Sequence, residues 1–203
     1  MKGCDFYEFN RNKRTRNRKT NIKSSNYDWT KKLWEILIIP KVNKYYLAVP
    51  SKFKEKIMNW EKQEPFYQDK VNHAHDNNKY VWSIFLKSTG ECIGQIDAHD
   101  AAGCDIDEKD VGWYIDPNYQ GKGYGTEAAK AMFDYLFKDV KLSKIKTGAA
   151  TINPSSWKIM EHFGFIRNEK TIYVNYTFVT EPIEIYLYSV TNEQYLNYSN
   201  NKK

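Results

Sequence analysis

The sequence predicts a single α+β domain in which helices cover both faces of a mixed, largely antiparallel sheet. Its 203 residues, of which 41% are apolar and 16% aromatic, are enough to bury one sizeable core. Two pairs of β-rich segments, within 80–98 and 171–190, can each form an antiparallel hairpin. Strand and helix patterns alternate between them, which gives the order β, α, α, β, β, β, α, β, α, β, β along the chain.

The first elements are predicted from short local patterns. Residues 34–39 form a β-branched-rich run that ends at Pro40, and this pattern indicates a strand. Ser51 can cap a helix with apolar side chains at i, i+4 and i+7, namely Phe53, Ile57 and Trp60. Pro65 should interrupt that helix, and a second, weaker helix is expected over 67–76.

The next three strands lie close together in sequence. Residues 80–86 and 91–98 are rich in aromatic and β-branched side chains and flank the turn Ser88-Thr89-Gly90, which indicates a hairpin. Residues 99–110 are polar and acidic, so we expect a loop there. A further strand is predicted over 111–115.

The remaining elements alternate in type. A helix is expected over 126–137, because four apolar side chains recur on one face, namely Ala128, Met132, Tyr135 and Leu136. Residues 144–150 form a strand pattern. Pro154 suits the first turn of a helix that runs to about residue 162, and Gly164 should end it. The predicted hairpin of 171–179 and 182–190 completes the order.

The positive charge of the chain is confined to its start. Residues 1–32 hold ten of the 31 basic residues and three of the 25 acidic ones, a net charge of +7, so the rest carries −1. We expect 1–26 to be a basic arm, disordered or loosely docked, and 27–203 to be the folded domain. The arm could contact RNA, the ribosome or another acidic partner, or it could be a solvated leader without a partner.

Cysteine usage and hydropathy predict a cytoplasmic protein. The three cysteines are odd in number and lack CxxC spacing, which suits a reducing compartment. The basic start is not followed by the apolar segment of a secretory signal, and the longest aliphatic run, 36–39, is far too short to span a membrane. The pair His73 and His75, with Asp76, lacks a third ligand at a familiar spacing, so we predict no metal site.

Three alternating glycines give the strongest local signal for chemistry. Gly121, Gly123 and Gly125 follow a predicted strand and precede a predicted helix. Glycine lets a backbone approach an anion and turn its N–H groups inward, and a helix N-terminus adds positive potential. The spacing matches neither the Walker A motif nor the dinucleotide fingerprint. It predicts a pyrophosphate site over 120–126, or else a tight turn that binds no ligand.

Three motifs in the same order resemble one family. The segment Gln120-x-x-Gly123-x-Gly125 resembles the acetyl-CoA motif of the Gcn5-related N-acetyltransferase (GNAT) superfamily. The wider segments 111–128, 153–165 and 188–195 are similar to the branch that contains the ribosomal-protein N-terminal acetyltransferases. The resemblance covers roughly residues 34–195, and it agrees with the element order found independently.

The resemblance implies a GNAT-like domain that binds acetyl-CoA as co-substrate. The sheet would splay between strands 111–115 and 144–150, and the pantetheine arm would lie along the first of them like an added strand. Backbone amides of 120–126 would hold the pyrophosphate. The implied cofactor-binding residues are Trp113, Tyr114, Ile115, Gln120, Gly121, Lys122, Gly123, Tyr124, Gly125, Thr126, Asn153 and Ser156.

The family's usual catalytic side chains are absent at two positions. Many relatives place a proton-donating Tyr where this chain has Met160, and others place a Glu where it has Gly148. Candidates for the missing roles are polar residues at predicted strand ends and at a helix start, namely Asp110, His99, Asp97 and Ser156. Each also has a plainer interpretation, as a solvated strand end or, for Ser156, as a helix-capping residue.

The predicted function is therefore transfer of an acetyl group to a primary amine by direct attack on the thioester. The acceptor stays open between a protein N-terminus and a small amine such as a polyamine or an aminoglycoside. Two other functions stay open as well: an inactive acyl-CoA-binding protein, and a ribosome- or nucleic-acid-associated protein that uses its arm. The chain could act as a monomer or a homodimer. The aromatic set Trp60, Phe66, Tyr67, Tyr80 and Trp82 could line the acceptor side or belong to the core.

Overall fold

In the computed structural model, which describes residues 4–8, 28–72, 80–100 and 103–201, seven strands form one sheet in the order β1-β2-β3-β4-β5-β7-β6. The strands are β1 (Cys4–Glu8), β2 (Tyr80–Leu86), β3 (Cys92–His99), β4 (Glu108–Ile115), β5 (Lys144–Ala150), β6 (Ile166–Val174) and β7 (Ile183–Thr191). All neighbours pair antiparallel except β4 and β5, which are parallel. The predicted α+β class with a mixed, largely antiparallel sheet is confirmed.

Helices lie on both faces of the sheet, as predicted. The helices are α1 (Asp28–Leu37), α2 (Pro40–Asn43), α3 (Lys54–Ile57), α4 (Trp60–Asn72), α5 (Tyr124–Tyr135), α6 (Pro154–His162) and α7 (Asn192–Asn201). One apolar cluster joins α1, α2 and α4 to the sheet, and a larger one joins α5, α6 and α7 to the other face. None of the helices in the described part of the chain is long and apolar enough to cross a bilayer.

Strands β4 and β5 stay together over only two residue pairs, Glu108 with Lys144 and Lys109 with Ile145. Beyond them the strands are bridged by side chains, as where Thr147 Oγ1 donates to the Val111 carbonyl at 2.9 Å. Strand β4 remains paired with β3 along this length, and β5 remains paired with β7. The sheet therefore opens between β4 and β5, and the predicted splay is confirmed.

The prediction of a strand over 34–39 is wrong, because most of this run belongs to α1. Leu33, Ile36 and Leu37 are buried at a helical spacing against the sheet, and this burial outweighs the β-branched composition. Pro40 closes no strand and instead occupies the first turn of α2, where its missing N–H costs nothing.

The region around Pro65 also differs from the prediction. Ser51 begins a 3₁₀ turn, Ser51–Phe53, that makes no side-chain cap, and α3 follows it. Helix α4 is capped by Asn59, the residue just before it, whose side-chain oxygen accepts from the Lys62 N–H at 3.0 Å. Pro65 does not interrupt α4, since it lies exposed within it, and a helix over 67–76 is confirmed only as far as Asn72.

Most later elements are confirmed with shifted ends. The expected loop 99–110 contains the first residues of β4, and β6 begins at Ile166 with an irregular register between Arg167 and Thr171. The end of the helix expected over 126–137 is a π-helical turn, Leu136–Val140. Gly164 ends α6 with a φ of +79°. Helix α7 was not predicted.

The backbone of β1 lies within the predicted basic arm and pairs with β2 at the sheet edge. Residues 9–27 lie outside the described residues, as do His73, His75 and Asp76. The division into an arm and a domain stays a prediction.

Candidate active site

The glycine loop between β4 and α5 has the backbone that the sequence predicts. Gly121 and Gly123 have φ values of +72° and +88°, a region that side-chain-bearing residues seldom adopt, and Gly123 is the N-cap of α5. Nothing in the described structure lies within 4 Å of where a Cβ on either glycine would be. The loop therefore presents open backbone beside the positive end of a helix, which suits an anion.

A cavity of about 770 Å³ begins at this loop and extends into the opening between β4 and α6. Eleven of the twelve predicted cofactor-binding residues line it, namely Trp113, Tyr114, Ile115, Gln120, Gly121, Gly123, Tyr124, Gly125, Thr126, Asn153 and Ser156. Lys122 is the exception: its Nζ donates to the Asn118 carbonyl at 2.8 Å and lies 5.1 Å from the centre of the Tyr119 ring. The structure thus brings the glycine motif, which ends at Gly125, together with the motif that begins 28 positions later at Asn153.

The Gln120 side chain fastens the loop to the strand before it. Its Nε2 donates to the Ile115 carbonyl at 2.9 Å, which places the loop directly over the end of β4. Asp116, 3% exposed, supports the same turn by accepting from the Asn118 N–H at 2.9 Å. In this geometry the Gln120 side chain shapes the loop by holding it against the end of β4.

Strand β4 turns unpaired backbone groups towards the cavity. The carbonyls of Val111 and Ile115 face away from β3, since they accept from Thr147 and Gln120, whereas the Asp116 N–H donates to Ile93 of β3 at 2.8 Å. Successive residues of a strand direct their backbone groups to opposite sides. Trp113 therefore directs its N–H and C=O into the opening, where an extended ligand could pair with them.

The opposite wall is the start of α6. Asn153 is the N-cap residue, but within the described structure its side chain makes no hydrogen bond to the helix that it precedes. Its carbonyl accepts from the Ser156 N–H at 3.1 Å. The cap position therefore belongs to Asn153 and not to Ser156, and both residues line the cavity.

Strands β3 and β4 bring the three other candidates together on the face that α1 and α4 cover. His99 Nδ1 lies 2.8 Å from Asp97 Oδ2, and His99 pairs across the sheet with Asp110. Burial raises the pKa of the Asp110 carboxyl, and the neighbouring Asp97 charge acts in the same direction. The raised pKa makes Asp110 a better proton acceptor than an ordinary aspartate.

Sequence reasoning missed Tyr46, which lines the cavity and donates its hydroxyl to Asp97 Oδ1. It also missed three lysines on the cavity wall, Lys41, Lys44 and Lys158. No motif marks these residues, because Tyr46, Lys41 and Lys44 reach the cavity only through the packing of α1 and α2. Because residues 34–39 were predicted to form a strand, the helical packing that brings these residues to the cavity was not expected.

A second cavity of about 560 Å³ lies between β5, β6 and β7 and reaches Asp110. Its walls are mixed: Ile172, Val174 and Leu187 are apolar, whereas Lys144 and Lys146 add positive charge near the Asp110 carboxyl group. The predicted aromatic set belongs mainly elsewhere: Trp60 and Tyr67 pack in one cluster, Tyr80 and Trp82 in the other, and Phe66 is half exposed. Among the described residues, no group of three or more His, Cys, Asp or Glu side chains could hold a metal ion.

At both positions where the chain departs from the family pattern, Met160 and Gly148, the residue present suits the local packing. Met160 is 1% exposed inside the larger core, so this position faces the core and not the cavity. A Cβ at Gly148 would lie 2.7 Å from Ile185 Cγ2 and 3.3 Å from the Tyr186 carbonyl oxygen. A glutamate does not fit at residue 148 unless β7 shifts.

We expect Gly148→Ala to lower the free energy of unfolding by about 1–3 kcal/mol, because the added methyl overpacks the contact with Ile185. Urea unfolding measures the change. In a double-mutant cycle, Ile185→Ala should cost less in the Gly148→Ala background than in the wild type, because the new Cβ fills space that the isoleucine leaves. Strictly additive costs would show that the two side chains do not compete for space.

Comparison with known proteins identifies the family. A model described as the acetyltransferase (GNAT) domain matches residues 26–166 of the 203. The chain therefore belongs to the GNAT acetyltransferase family, as the motifs predicted.

Sequence relatives are named as N-acetyltransferases. The uncharacterized N-acetyltransferase YnaD of Bacillus subtilis is 33% identical over 97 residues, which are 48% of this chain and 56% of that protein. The probable N-acetyltransferase YjcK of the same species is 28% identical over 49% of this chain and 53% of its own length. The chain thus spans about half the length of the curated relatives that it matches.

Solved structures agree over a longer stretch. A GNAT-family acetyltransferase from Bacillus anthracis superimposes with a TM-score of 0.63 and 25% identity, covering 82% of this chain and 90% of that one. Spermidine N-acetyltransferase from Vibrio cholerae, solved with CoA and spermine, has a TM-score of 0.68 and 19% identity and covers 86% and 96%. At 19% identity the second likeness supports the fold alone.

Proposed function

We propose that this protein is an acetyl-CoA-dependent N-acetyltransferase that acetylates a primary amine. The observation that carries the proposal is the 770 Å³ cavity, in which the glycine loop, the unpaired edge of β4 and the start of α6 meet. Along its length the cavity offers an anion site, then a strand edge, and a polar wall opposite that edge. Those are the features that a long cofactor with a pyrophosphate and an amide-bearing arm requires.

The backbone amides of 120–126 would hold the pyrophosphate, because they lie beside the N-terminus of α5 and the two open glycines. Lys41, Lys44 and Lys158 on the cavity wall add positive charge that complements the phosphates. The pantetheine amides would pair with the exposed N–H and C=O of Trp113, while Asn153 and Ser156 approach from α6.

The reaction would be direct attack of a neutral amine on the thioester carbonyl. The Trp113 N–H, which faces the opening, would stabilise the oxyanion that forms at that carbonyl. Asp97, His99 and Asp110 lie together on one face of β3 and β4, so they can take the proton that an ammonium acceptor must lose. Ser156, which lines the cavity and is not the N-cap of α6, would hydrogen-bond the departing thiol.

The acceptor would approach through the second cavity, which ends at Asp110. A carboxylate on the wall of a mixed polar and apolar pocket can bind the ammonium group of a protein N-terminus or of a small amine such as a polyamine or an aminoglycoside. Spermine, with which the Vibrio cholerae protein of the same fold was solved, is one such polyamine. We propose that the reaction takes place in the cytoplasm.

Calorimetric titration with acetyl-CoA, followed by a thiol-release assay on polyamines, aminoglycosides and short peptides, tests the proposal. We expect micromolar binding and thiol release with at least one of these acceptors. Failure to bind acetyl-CoA would overturn the assignment of the cavity.

The packing of Met160 and Gly148 favours a second candidate, a protein that binds acyl-CoA without turnover, because two familiar catalytic positions are structural here. Binding with no thiol release on any acceptor in the panel would support it. We also propose that the basic arm can contact an acidic partner such as the ribosome. Salt-sensitive binding that is lost on deletion of residues 1–26 would support that role.

A further inference from the structure

We propose that Tyr46, Asp97 and His99 form a proton-transfer chain that carries the acceptor's proton from the cavity to solvent. The proposal rests on the proposed function, and it adds Tyr46 as the inner end of the chain. Direct acetylation of an ammonium group releases one proton per turnover to water, in addition to forming the amide and the free thiol. A partly closed site therefore needs a route by which that proton leaves.

The three side chains form a continuous path of hydrogen bonds. The Tyr46 hydroxyl donates to Asp97 Oδ1, and His99 Nδ1 lies 2.8 Å from Asp97 Oδ2. Gln95 Nε2 donates to Asp97 Oδ1 at 3.3 Å and fixes the carboxylate from the same strand. Asp97 thus uses one oxygen towards the cavity side and the other towards His99.

The path ends at an exposed side chain. Tyr46 lines the cofactor cavity, the Asp97 side chain is 12% exposed, and the His99 side chain is 51% exposed. The last proton transfer of the chain therefore ends at a group that bulk water reaches. Histidine suits the outer end, because one nitrogen of its ring can accept a proton while the other releases one.

The inner end lies beside the expected reaction centre. A Cβ at Gly112 would be 3.5 Å from the Tyr46 hydroxyl and 3.7 Å from Asp97 Oδ1, so both groups lie over this residue of β4. The next residue, Trp113, directs its N–H into the opening. Because the Tyr46 hydrogen points to Asp97 and the Gln95 side chain hydrogen-bonds to the Tyr46 oxygen, that oxygen keeps one lone pair to accept an N–H from the amine.

Two loops are fastened together so that Tyr46 keeps this position. Thr177, 7% exposed, donates its backbone N–H to the Leu47 carbonyl at 2.8 Å. Its hydroxyl lies 2.8 Å from the Val49 carbonyl and accepts from the Val49 N–H at 3.1 Å. Leu47 directly follows Tyr46, and Tyr176 of the second cavity directly precedes Thr177. These hydrogen bonds therefore hold Tyr46 and Tyr176 in position.

The ammonium gives one proton to the Tyr46 oxygen as Tyr46 gives its own to Asp97, and the neutral amine then attacks the thioester carbonyl. The N–C bond forms as the C–S bond breaks, and the second proton of the nitrogen goes to the sulfur, which leaves as the free thiol. The Asp97–His99 pair then holds one proton more than before, and the exposed ring releases one to water. Burial and the Asp97 charge raise the pKa of Tyr46 well above 10, so Tyr46 passes protons without staying ionised. Other titratable groups facing the chain are Asp110 and Tyr114 of β4 and Tyr67 of α4.

Tyr46→Phe tests the chain, because it removes only the hydroxyl and keeps the ring that packs 4.9 Å from the ring of Tyr114. The readout is kcat/KM against pH for two acceptors, one with an α-amine of pKa about 8 and one with an alkylamine of pKa about 10. We expect a loss of roughly 10²-fold for the alkylamine at pH 7 and a much smaller loss for the α-amine at pH 9, where it is already neutral. His99→Gln should lose less, since water can reach Asp97.

The control is Tyr173→Phe, which removes a hydroxyl from a side chain that is 70% exposed on β6 and should change nothing. A loss in Tyr46→Phe that is equal for both amines at every pH would overturn the chain and leave a packing role. Wild-type protein that releases thiol while Tyr46→Phe is fully active would overturn the chain alone. Wild-type protein that binds no acetyl-CoA would overturn the proposed function and the chain with it.

Discussion

Replacing Gly123 with glutamate is expected to abolish acetyl-CoA binding, with a loss in affinity of at least about 100-fold. Gly123 is the N-cap of α5 and has open space where a side chain would begin, so the new carboxylate would lie where the pyrophosphate is expected. The helix N-terminus attracts the pyrophosphate, whereas the new carboxylate beside it would repel the pyrophosphate. Calorimetric titration with acetyl-CoA measures the loss, and circular dichroism reports whether the fold is retained.

Gly90→Glu is the matched control for this change. Gly90 also has a positive φ, +70°, and nothing in the described structure within 4 Å of its Cβ position, but it lies in the turn between β2 and β3. Both variants should lose about 1–2 kcal/mol of stability, because a side chain is strained at this φ. Only Gly123→Glu should lose binding. Unchanged affinity in that variant would exclude the loop as the pyrophosphate site.

The site depends on one parallel pair in an otherwise antiparallel sheet. Strands β4 and β5 cannot share a tight turn, so the chain between them forms the glycine loop and α5 before it returns. After two paired residues the strands separate, and each keeps its other neighbour. The opening therefore exposes a strand edge without weakening the rest of the sheet, and the loop that the crossover requires supplies the anion site.

The cofactor side of the site could be predicted from the sequence because its signals are local. The positive φ values at Gly121 and Gly123 favour glycine, so the loop is visible in the sequence as a glycine pattern. Pro154 and Gly164 likewise mark both ends of α6. Lys122, which does not line the cavity, has a long flexible side chain whose direction no pattern fixes. The comparisons confirm the family, while the roles of these residues in binding stay predictions.

The acceptor side could not be predicted, because it depends on how distant segments pack. An apolar run such as 34–39 is compatible with a strand or a buried helix, and only the burial of Leu33, Ile36 and Leu37 against the sheet decides between them. Tyr46 meets Asp97 only after that packing is in place, across 51 positions of sequence. Helix α7 has a weakly apolar sequence, yet its Tyr195 is fully buried.

Phe133→Ala is expected to lower the free energy of unfolding by about 3–5 kcal/mol, a large share of the stability of an ordinary domain. The side chain is 0% exposed, and four aromatic rings surround it with centroids 5.0 to 6.4 Å away, namely those of Trp113, Phe163, Phe165 and Tyr195. Removing the ring leaves a cavity that these neighbours can fill only by moving. Urea unfolding monitored by tryptophan fluorescence measures the loss.

The same change should also weaken acetyl-CoA binding, because Trp113 packs on Phe133 and belongs to the strand edge at the opening. Phe66→Ala is the control: this ring is 50% exposed, so its loss should cost under about 1 kcal/mol and leave affinity unchanged. Equal costs for the two variants would mean that the ring cluster around Phe133 does not stabilise the domain. A full cost at Phe133 with unchanged affinity would instead show that the edge of β4 is held by its pairing with β3 and not by the core beneath it.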